Sequence, residues 1–410
     1  MRTVTPRSTE SPSPEKTSEP PGTGDTPEPP GDVDAPRRTL SSLARPLAVP
    51  LLAYGASRLI TTAAVALAAM ASRHSLHYVF TVWDGRWYER IAVSGYPTSV
   101  PQGDFYAGTG RQVQSSVAFF PLYPVLVRGL DAILPGGADV AGVVLSFVIG
   151  ALATVVVWLV ADRVAGRPVA DRAAVLFAFS PGAFVLSLVY AEGLLILLSA
   201  GCLLALLERR WVVAGLLAAL ATATRPNATA VVMACAWGAA VAIWTRREWR
   251  AVAAPLLAPV GMVVFFVFLW WHTGEPLIWF RVQYQGWGER IDFGLANAKL
   301  ITDFATHPFH NPNKVVLIGS MLFAAVLIAV LVRAKLPGVL NVYSLGGLGV
   351  VLASHINARP RFIFVAFPLV IALAKTVRRP PAFMVLAATF AASTVMLTVF
   401  YGLHRANYYP

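Results

Sequence analysis

Val82–Pro97 reads VWDGRWYERIAVSGYP, and it sets a carboxylate, Asp84, between Trp83 and Trp87 with Gly85 directly after it. Aromatic residues at a membrane boundary often serve only as interfacial anchors, which accounts for the tryptophans. Anchoring does not account for an acid and a glycine placed between them. Apolar rings disfavour the charged form of a carboxyl, so the pKa of Asp84 is expected to rise, and such a group can take a proton from a hydroxyl. A second acid, Glu192, follows Tyr190 and Ala191 where an apolar run ends. A carboxylate at membrane depth is costly and marks a functional position, although an acid there also suits the start of the next helix.

Cations accompany these acids. Arg225 lies in Thr224–Asn227 (TRPN), which interrupts two apolar runs, and Arg359 and Arg361 lie in Asn357–Arg361 (NARPR). The planar fork of a guanidinium matches a phosphate, whereas snorkelling to the interface is the plain alternative. Two separate arginine sites suit a lipid phosphate better than either does alone. In Phe119–Pro124 (FFPLYP) the prolines fix a bent backbone around the aromatics. Phe120 and Pro121 are then either part of a structural turn or the wall of a substrate groove. His307, His310 and Asn311 in HPFHNPN lack a clear third ligand, as do His272 and Glu275, so no metal site is read. No cofactor is named, and a divalent cation stays open. Cys202 and Cys235 both fall within apolar runs and show no disulfide framework.

The elements that must position these groups are membrane helices. Of 410 residues 56% are hydrophobic and only 13% charged, and the mean hydropathy is +0.62. The apolar residues form many runs of roughly 17–25, the length that crosses a bilayer. Without water in the hydrocarbon such runs must be helices that satisfy their own backbone. The expected fold is an all-α polytopic bundle of about eleven spans, near 47–72, 139–162, 172–188, 190–207, 211–224, 227–244, 251–271, 314–332, 337–353, 361–375 and 382–403. Residues 1–44 are rich in Pro, Ser, Thr, Gly and Glu and are expected to form a disordered cytoplasmic tail. They lack the basic-then-apolar pattern of a signal peptide, so residues 45–410 make up the membrane domain.

Charge orients the bundle. With the N-terminus inside, the inward loops contain Arg163, Arg167 and Arg172; Arg209 and Arg210; Arg246, Arg247 and Arg250; Arg333 and Lys335; and Lys375, Arg378 and Arg379. That pattern is the positive-inside bias. It absorbs much of the net charge of +12 and leaves no case for nucleic acid as a partner. Ala118–Leu134, with two prolines, Arg128 and Asp131, would invert every later loop if it spanned, so it is read as an interfacial or re-entrant helix. The first outer loop 73–138, the turns 190–192 and 224–227, the loop 272–313 and the segment 354–361 then open outward together.

The run WDGRWYERIAVSGYP, then FFPLYP, SPGAFVLSLVYAEG, TATRPN and ARPRF, in that order over most of residues 50–404, resembles the PIG-V family, the GPI mannosyltransferase II-like proteins. The resemblance implies a GT-C glycosyltransferase with interfacial helices and a catalytic acid in its first outer loop. It implies inverting transfer from a polyprenyl-phosphate sugar, with polyprenyl-phosphate mannose as the donor. Asp84 would be the general base, with Trp83, Gly85 and Tyr88 shaping its surroundings. Glu192, Arg225 and Asn227 would bind donor or acceptor, and Arg225, Arg359 and Arg361 would hold the donor phosphate. Asp104 is a further acid in the same loop with no motif match. An Ala-, Val- and Arg-rich chain with short loops suits a bacterial plasma membrane, where a GPI acceptor is not transferable, so a lipid, glycan or protein acceptor is expected instead. The rival readings are a transporter or flippase for a lipid-linked sugar and a non-catalytic scaffold. No repeat relates the two halves as transporters often show, and intact acids at the motif positions speak against a scaffold.

Overall fold

The computed structural model describes residues 40–103, 113–308, 310–355 and 359–403, with side chains from Leu47 onward. Residues 1–39 of the expected disordered tail lie outside the described residues, and Leu40–Ala44 are already helical. Asp104 and Asn357 lie outside the described residues.

Among the described residues six helical stretches are long and apolar enough to cross a membrane: Leu47–Ser72, Ala138–Ala165, Pro226–Arg246, Trp249–Thr273, Pro312–Ala334 and Pro380–Leu403. The chain is thus an all-helical polytopic membrane protein. The other expected spans take different forms. Arg167–Ala178 and the 3₁₀ segment Pro181–Ser187 make a pair bent by 71°. Glu192–Leu207, Trp211–Thr222 and Gly338–Ala353 are shorter apolar helices. The stretch 361–375 is divided into helices Pro360–Val365 and Pro368–Thr376, with Pro368 opening the second. The part of 118–134 expected at the interface forms Leu122–Asp131, ten residues and about 15 Å long, too short to span. Leu76–Phe80 and Asp84–Ser94 are further short helices of the loop 73–138, and Ile278–Trp287 and Leu295–Thr306 lie in the loop 272–313.

Broken helices free backbone carbonyls that hydrocarbon cannot solvate, and such breaks persist only where protein groups reclaim them. Arg58, buried in the helix Leu47–Ser72, does this for the bent pair. Its Nη1 donates to the Ala183 carbonyl at 2.9 Å and to Ser187 Oγ at 2.8 Å, and its Nη2 to the Ala178 carbonyl at 3.2 Å. Thr394 Oγ1 donates to the carbonyls of Phe179 and Ser180 from the other side, at 2.8 Å each. The planar fork thus supplies several donors to one break.

The basic loops and the polar motifs sit at opposite helix ends. Glu192 opens the helix Glu192–Leu207, and Arg209 and Arg210 follow its other end. Asn227 lies at the start of Pro226–Arg246, and Arg246 and Arg247 at its finish. At the basic end Arg172 Nε donates to the Ala374 carbonyl at 3.0 Å and Lys375 Nζ to the Ala334 carbonyl at 2.7 Å, which ties three helices together.

Removing Arg58 strands buried carbonyls. Arg58→Leu is expected to lower stability by on the order of 3 kcal/mol. Arg58→Lys, with a single ammonium for several acceptors, should recover only part of it. Thermal melting in detergent checks both, and equal melting of Arg58→Leu and wild type would show that the bent pair holds itself.

Candidate functional site

Asp84 is the first residue of helix Asp84–Ser94, and the residue before it, Trp83, has φ 63° and ψ −114°. A bulky side chain at positive φ is strained, by about 1–3 kcal/mol, and persists only where its surroundings over-determine it. Here they do. Val189 N–H donates to the Phe80 carbonyl at 3.0 Å, and Tyr190 Oη donates to the Val82 carbonyl at 3.1 Å. A Cβ on Gly85 would meet the Val189 carbonyl at 3.3 Å, so glycine lets the helix start lie against that strand of chain. The WDG motif is therefore a turn pressed onto Val189 and Tyr190 that aims the Asp84 carboxylate.

That carboxylate meets two arginines from distant segments. Arg361 Nη1 donates to Asp84 Oδ2 at 2.7 Å, and Arg225 Nη1 and Nη2 donate to the same oxygen at 3.3 Å each. Behind them Glu192, with no solvent exposure, pairs with Arg225 at 2.8 Å and Arg361 at 3.5 Å. Tyr88 Oη accepts from Arg225 Nη1 at 3.5 Å. Tyr190 and Phe362 offer ring faces to Arg361, 5.6 and 4.8 Å from the guanidinium carbon. Two acids and two guanidinium groups make the cluster formally neutral, which lets it survive burial.

Arg361 is placed by a glycine contact. A Cβ on Gly182 would lie 2.5 Å from the Pro360 carbonyl and 2.5 Å from Phe364 Cβ, so only glycine lets helix Pro360–Val365 approach the 3₁₀ segment this closely. The SPGAF and ARPRF motifs are two sides of one contact.

The cluster floors a cavity of about 350 Å³. Of the expected residues, Trp83, Asp84, Tyr88, Phe120, Arg225, Asn227, Arg359 and Arg361 line it, and Glu192 lies beneath. Gly85 and Pro121 do not reach it. Gly85 acts through packing, and Pro121 is the turn whose carbonyl starts helix Leu122–Asp131 by accepting Val125 N–H at 3.0 Å. Phe119 and Phe120 form a wall completed by Trp287, with the Phe119 and Trp287 rings 5.7 Å apart.

Burial by itself would raise the pKa of Asp84, but Arg361 first and then Arg225 outweigh it, and the net direction is down. The raised pKa expected from its aromatic company is thus overturned by two cations the local sequence does not contain. Glu289 behaves oppositely. It lines the cavity from the end of helix Ile278–Trp287, and burial pushes its carboxyl up to about 7, against the pull of Arg359 and Arg361. No motif singles out Glu289, although Trp287-Gly288-Glu289 sets an aromatic, a glycine and an acid together, the same company as Asp84. Gln114, Gln283 and Thr224, also on the cavity, carried no comparable signal.

Neither His307 with His310 nor His272 with Glu275 joins the site. His272 meets the Tyr96 carbonyl at 3.0 Å, Glu275 pairs with Arg281 at 2.7 Å, and the His307 and His310 rings stand 6.5 Å apart. Among the described residues no three His, Cys, Asp or Glu converge in a way that could hold a metal ion. Asp84 and Glu192 are paired with arginines.

A second cleft, about 370 Å³ and almost wholly apolar, lies between Pro312–Ala334, Pro380–Leu403 and the other side of helix Pro360–Val365. Phe323, Leu327, Phe390 and Leu397 line it together with Pro360, Ile363 and Phe364, next in sequence to Arg361 and Phe362.

Residues 120–271, fewer than half of the chain, match the family described as dolichyl-phosphate-mannose-protein mannosyltransferase. No curated protein matches. Solved structures that are similar include the Archaeoglobus fulgidus oligosaccharyltransferase tethered to an acceptor peptide, at 15% identity and TM-score 0.47, covering 87% of this chain and 55% of that one. The apo form of that enzyme, and its complex with an inhibitory peptide and a dolichol-phosphate, each give 13% identity and TM-score 0.49, with 87% and 56% covered. The chain spans about half the length of these proteins.

Breaking the buried charge balance should cost more at Glu192 than at Asp84, which keeps 15% of its side chain exposed. Glu192→Gln is expected to destabilise by roughly 3–5 kcal/mol, and Asp84→Asn by clearly less. Detergent melting curves would show the order, and a reversed order would mean that Glu192 does not neutralise the arginines.

Proposed function

We propose that this protein is a GT-C-type membrane glycosyltransferase that moves a mannosyl residue from a polyprenyl-phosphate donor to a hydroxyl on a lipid, glycan or protein acceptor, with inversion. The observation that carries this reading is the short helix Pro360–Val365. It turns Arg361 toward a polar, aromatic-walled cavity, and Pro360, Ile363 and Phe364 toward an apolar cleft. A ligand with a charged phosphate between a sugar and a long hydrocarbon chain fits across such a wall. The match to a dolichyl-phosphate-mannose family supports mannose and a lipid phosphate. The positive-inside pattern supports an N-terminus in the cytoplasm and a site on the outer face of a bacterial plasma membrane.

The chemistry follows from charge. In a single displacement the acceptor oxygen bonds to the anomeric carbon as the bond from that carbon to the phosphate oxygen breaks, and negative charge grows on the departing phosphate. Arg225 and Arg361 would stabilise that charge, and pre-set cations in a dry site are worth more than in water. Arg361 Nε–H has no partner among the described residues, which leaves a donor for a phosphate oxygen. Phosphate is a good leaving group and needs no general acid. Trp83, Phe119 and Trp287 would pack against the sugar ring. Both arginines hold Asp84 through Oδ2, so the base role that the family resemblance gives Asp84 would fall to Oδ1.

Transfer of radiolabel from polyprenyl-phosphate mannose in membranes containing the protein tests this reading. Wild type should label a lipid or polymer product, and Arg361→Lys, which loses the bidentate fork, should lower transfer at least tenfold. An inactive wild type given inserted protein and a broad acceptor extract would count against the enzyme and favour a transporter or a scaffold.

A further inference from the structure

We propose that helix Ile278–Trp287 lies in the bilayer leaflet on the side of the cavity, with Leu277, Phe280 and Tyr284 against acyl chains. The cavity wall that this helix carries is then bedded in lipid. Hydropathy puts 272–313 outside the spans, and the placement holds whether or not the chain transfers sugar.

Depth follows from the neighbouring span. Trp249–Thr273 has 25 residues and is about 37 Å long, against a hydrocarbon core of roughly 30 Å. After Thr273 the chain turns at Gly274, which has φ 75°, and the next helix folds back against the span. The rings of Trp279 and Phe280 stand 5.4 and 5.5 Å from that of Phe266. Phe266 precedes Thr273 by two turns of helix, about 10 Å. A span centred in the bilayer protrudes by only about 4 Å at each end. Phe266, and Phe280 beside it, therefore sit below the level at which hydrocarbon begins.

The exposed side of the helix suits that depth. Leu277, Phe280 and Tyr284 recur at spacings of three and four, which puts them on one side, and all three are exposed. They continue the apolar surface of the span, where Val263, Val267 and Trp271 are exposed as well. The other side of the helix is occupied by protein. Ile278 and Val282 cluster with Phe265 and Leu269, while Gln283 and Trp287 line the cavity.

Hydrocarbon admits a helix only when its backbone ends and charges are satisfied by protein. Gly288 and Glu289 N–H donate to the carbonyls of Tyr284 and Gln283, at 3.1 and 2.9 Å, and close its last turn. Arg281, the single charged residue in the helix, pairs with Glu275 at 2.7 Å. Its Nη1 and Nη2 donate to the carbonyls of Pro101 and Val100 at 3.2 and 3.0 Å. Trp279 Nε1 donates to the Ala118 carbonyl at 3.2 Å. The lipid-side trio then carries no charge, and its one polar atom is the Tyr284 hydroxyl, at home where tails meet headgroups.

Site-directed fluorescence tests the placement. Leu277→Cys, Phe280→Cys and Tyr284→Cys are each labelled with a nitrobenzoxadiazole dye in the purified full chain and reconstituted in phosphatidylcholine vesicles. Wild type, whose two cysteines are buried, is the blank. All three labels should emit at blue-shifted wavelengths and lose most of their emission when the lipid carries a brominated acyl chain. Iodide in the water should quench them little, and least at position 280. Quenching by iodide and not by brominated chains would put the helix in water and overturn the proposal. Quenching by neither would show the face covered by protein and overturn it equally. A second measurement needs no label. In lipid nanodiscs Phe280→Glu should melt well below Phe280→Leu, because a carboxylate at that depth is costly, and equal melting of the two would remove the face from the hydrocarbon.

Discussion

The structure depends on keeping two arginines and two carboxylates neutral together where water is scarce. Isolated, any one of these four groups would be expelled or discharged, because the cost of burying an uncompensated charge exceeds what packing can offset. Together Asp84, Glu192, Arg225 and Arg361 form a closed set of contacts between 2.7 and 3.5 Å. The set draws on four separate stretches of chain, so it also fixes how the loop 73–138, two helix starts and a short helix meet. A neutral floor can accept one more anion by exchanging partners, whereas a bare arginine pair would bind phosphate but would not survive without it.

The backbone around the cluster is irregular for the same reason. The helix before Pro181 bends, the 361–375 stretch divides, and Trp83 sits at positive φ. Each departure brings a polar side chain into the bundle at an angle that a straight helix cannot reach. The costs are met locally by Arg58 on the freed carbonyls, Gly182 beneath Pro360, and Gly85 against Val189. These residues touch no substrate in the proposed reaction, yet the position of every charged group depends on them.

Two acids that look alike in sequence acquire different chemistry from their neighbours. Asp84 and Glu289 each follow an aromatic residue and stand by a glycine. One is pulled down by arginines in contact with its carboxylate, and the other is pushed up by burial with arginines further off. The same contrast separates the two cavities. Successive residues of one short helix face a polar, aromatic-walled cavity and an apolar cleft.

Hydropathy period and loop charge determined the all-helical membrane class and the approximate limits of the helices, because a chain in hydrocarbon has few ways to satisfy its backbone. Motif composition also pointed to the four residues of the cluster: Asp84, Glu192, Arg225 and Arg361 stand out as charges interrupting apolar runs. What the sequence could not supply was partnership. That Asp84 would be pinned rather than freed, that Gly85 and Pro121 would act from outside the cavity, and that Glu289 would enter it from a loop some two hundred residues away all follow from contacts between distant segments. A local reading weighs each acid against its sequence neighbours, whereas the pKa and the role of a buried acid are set by the charges that folding brings within a few ångströms.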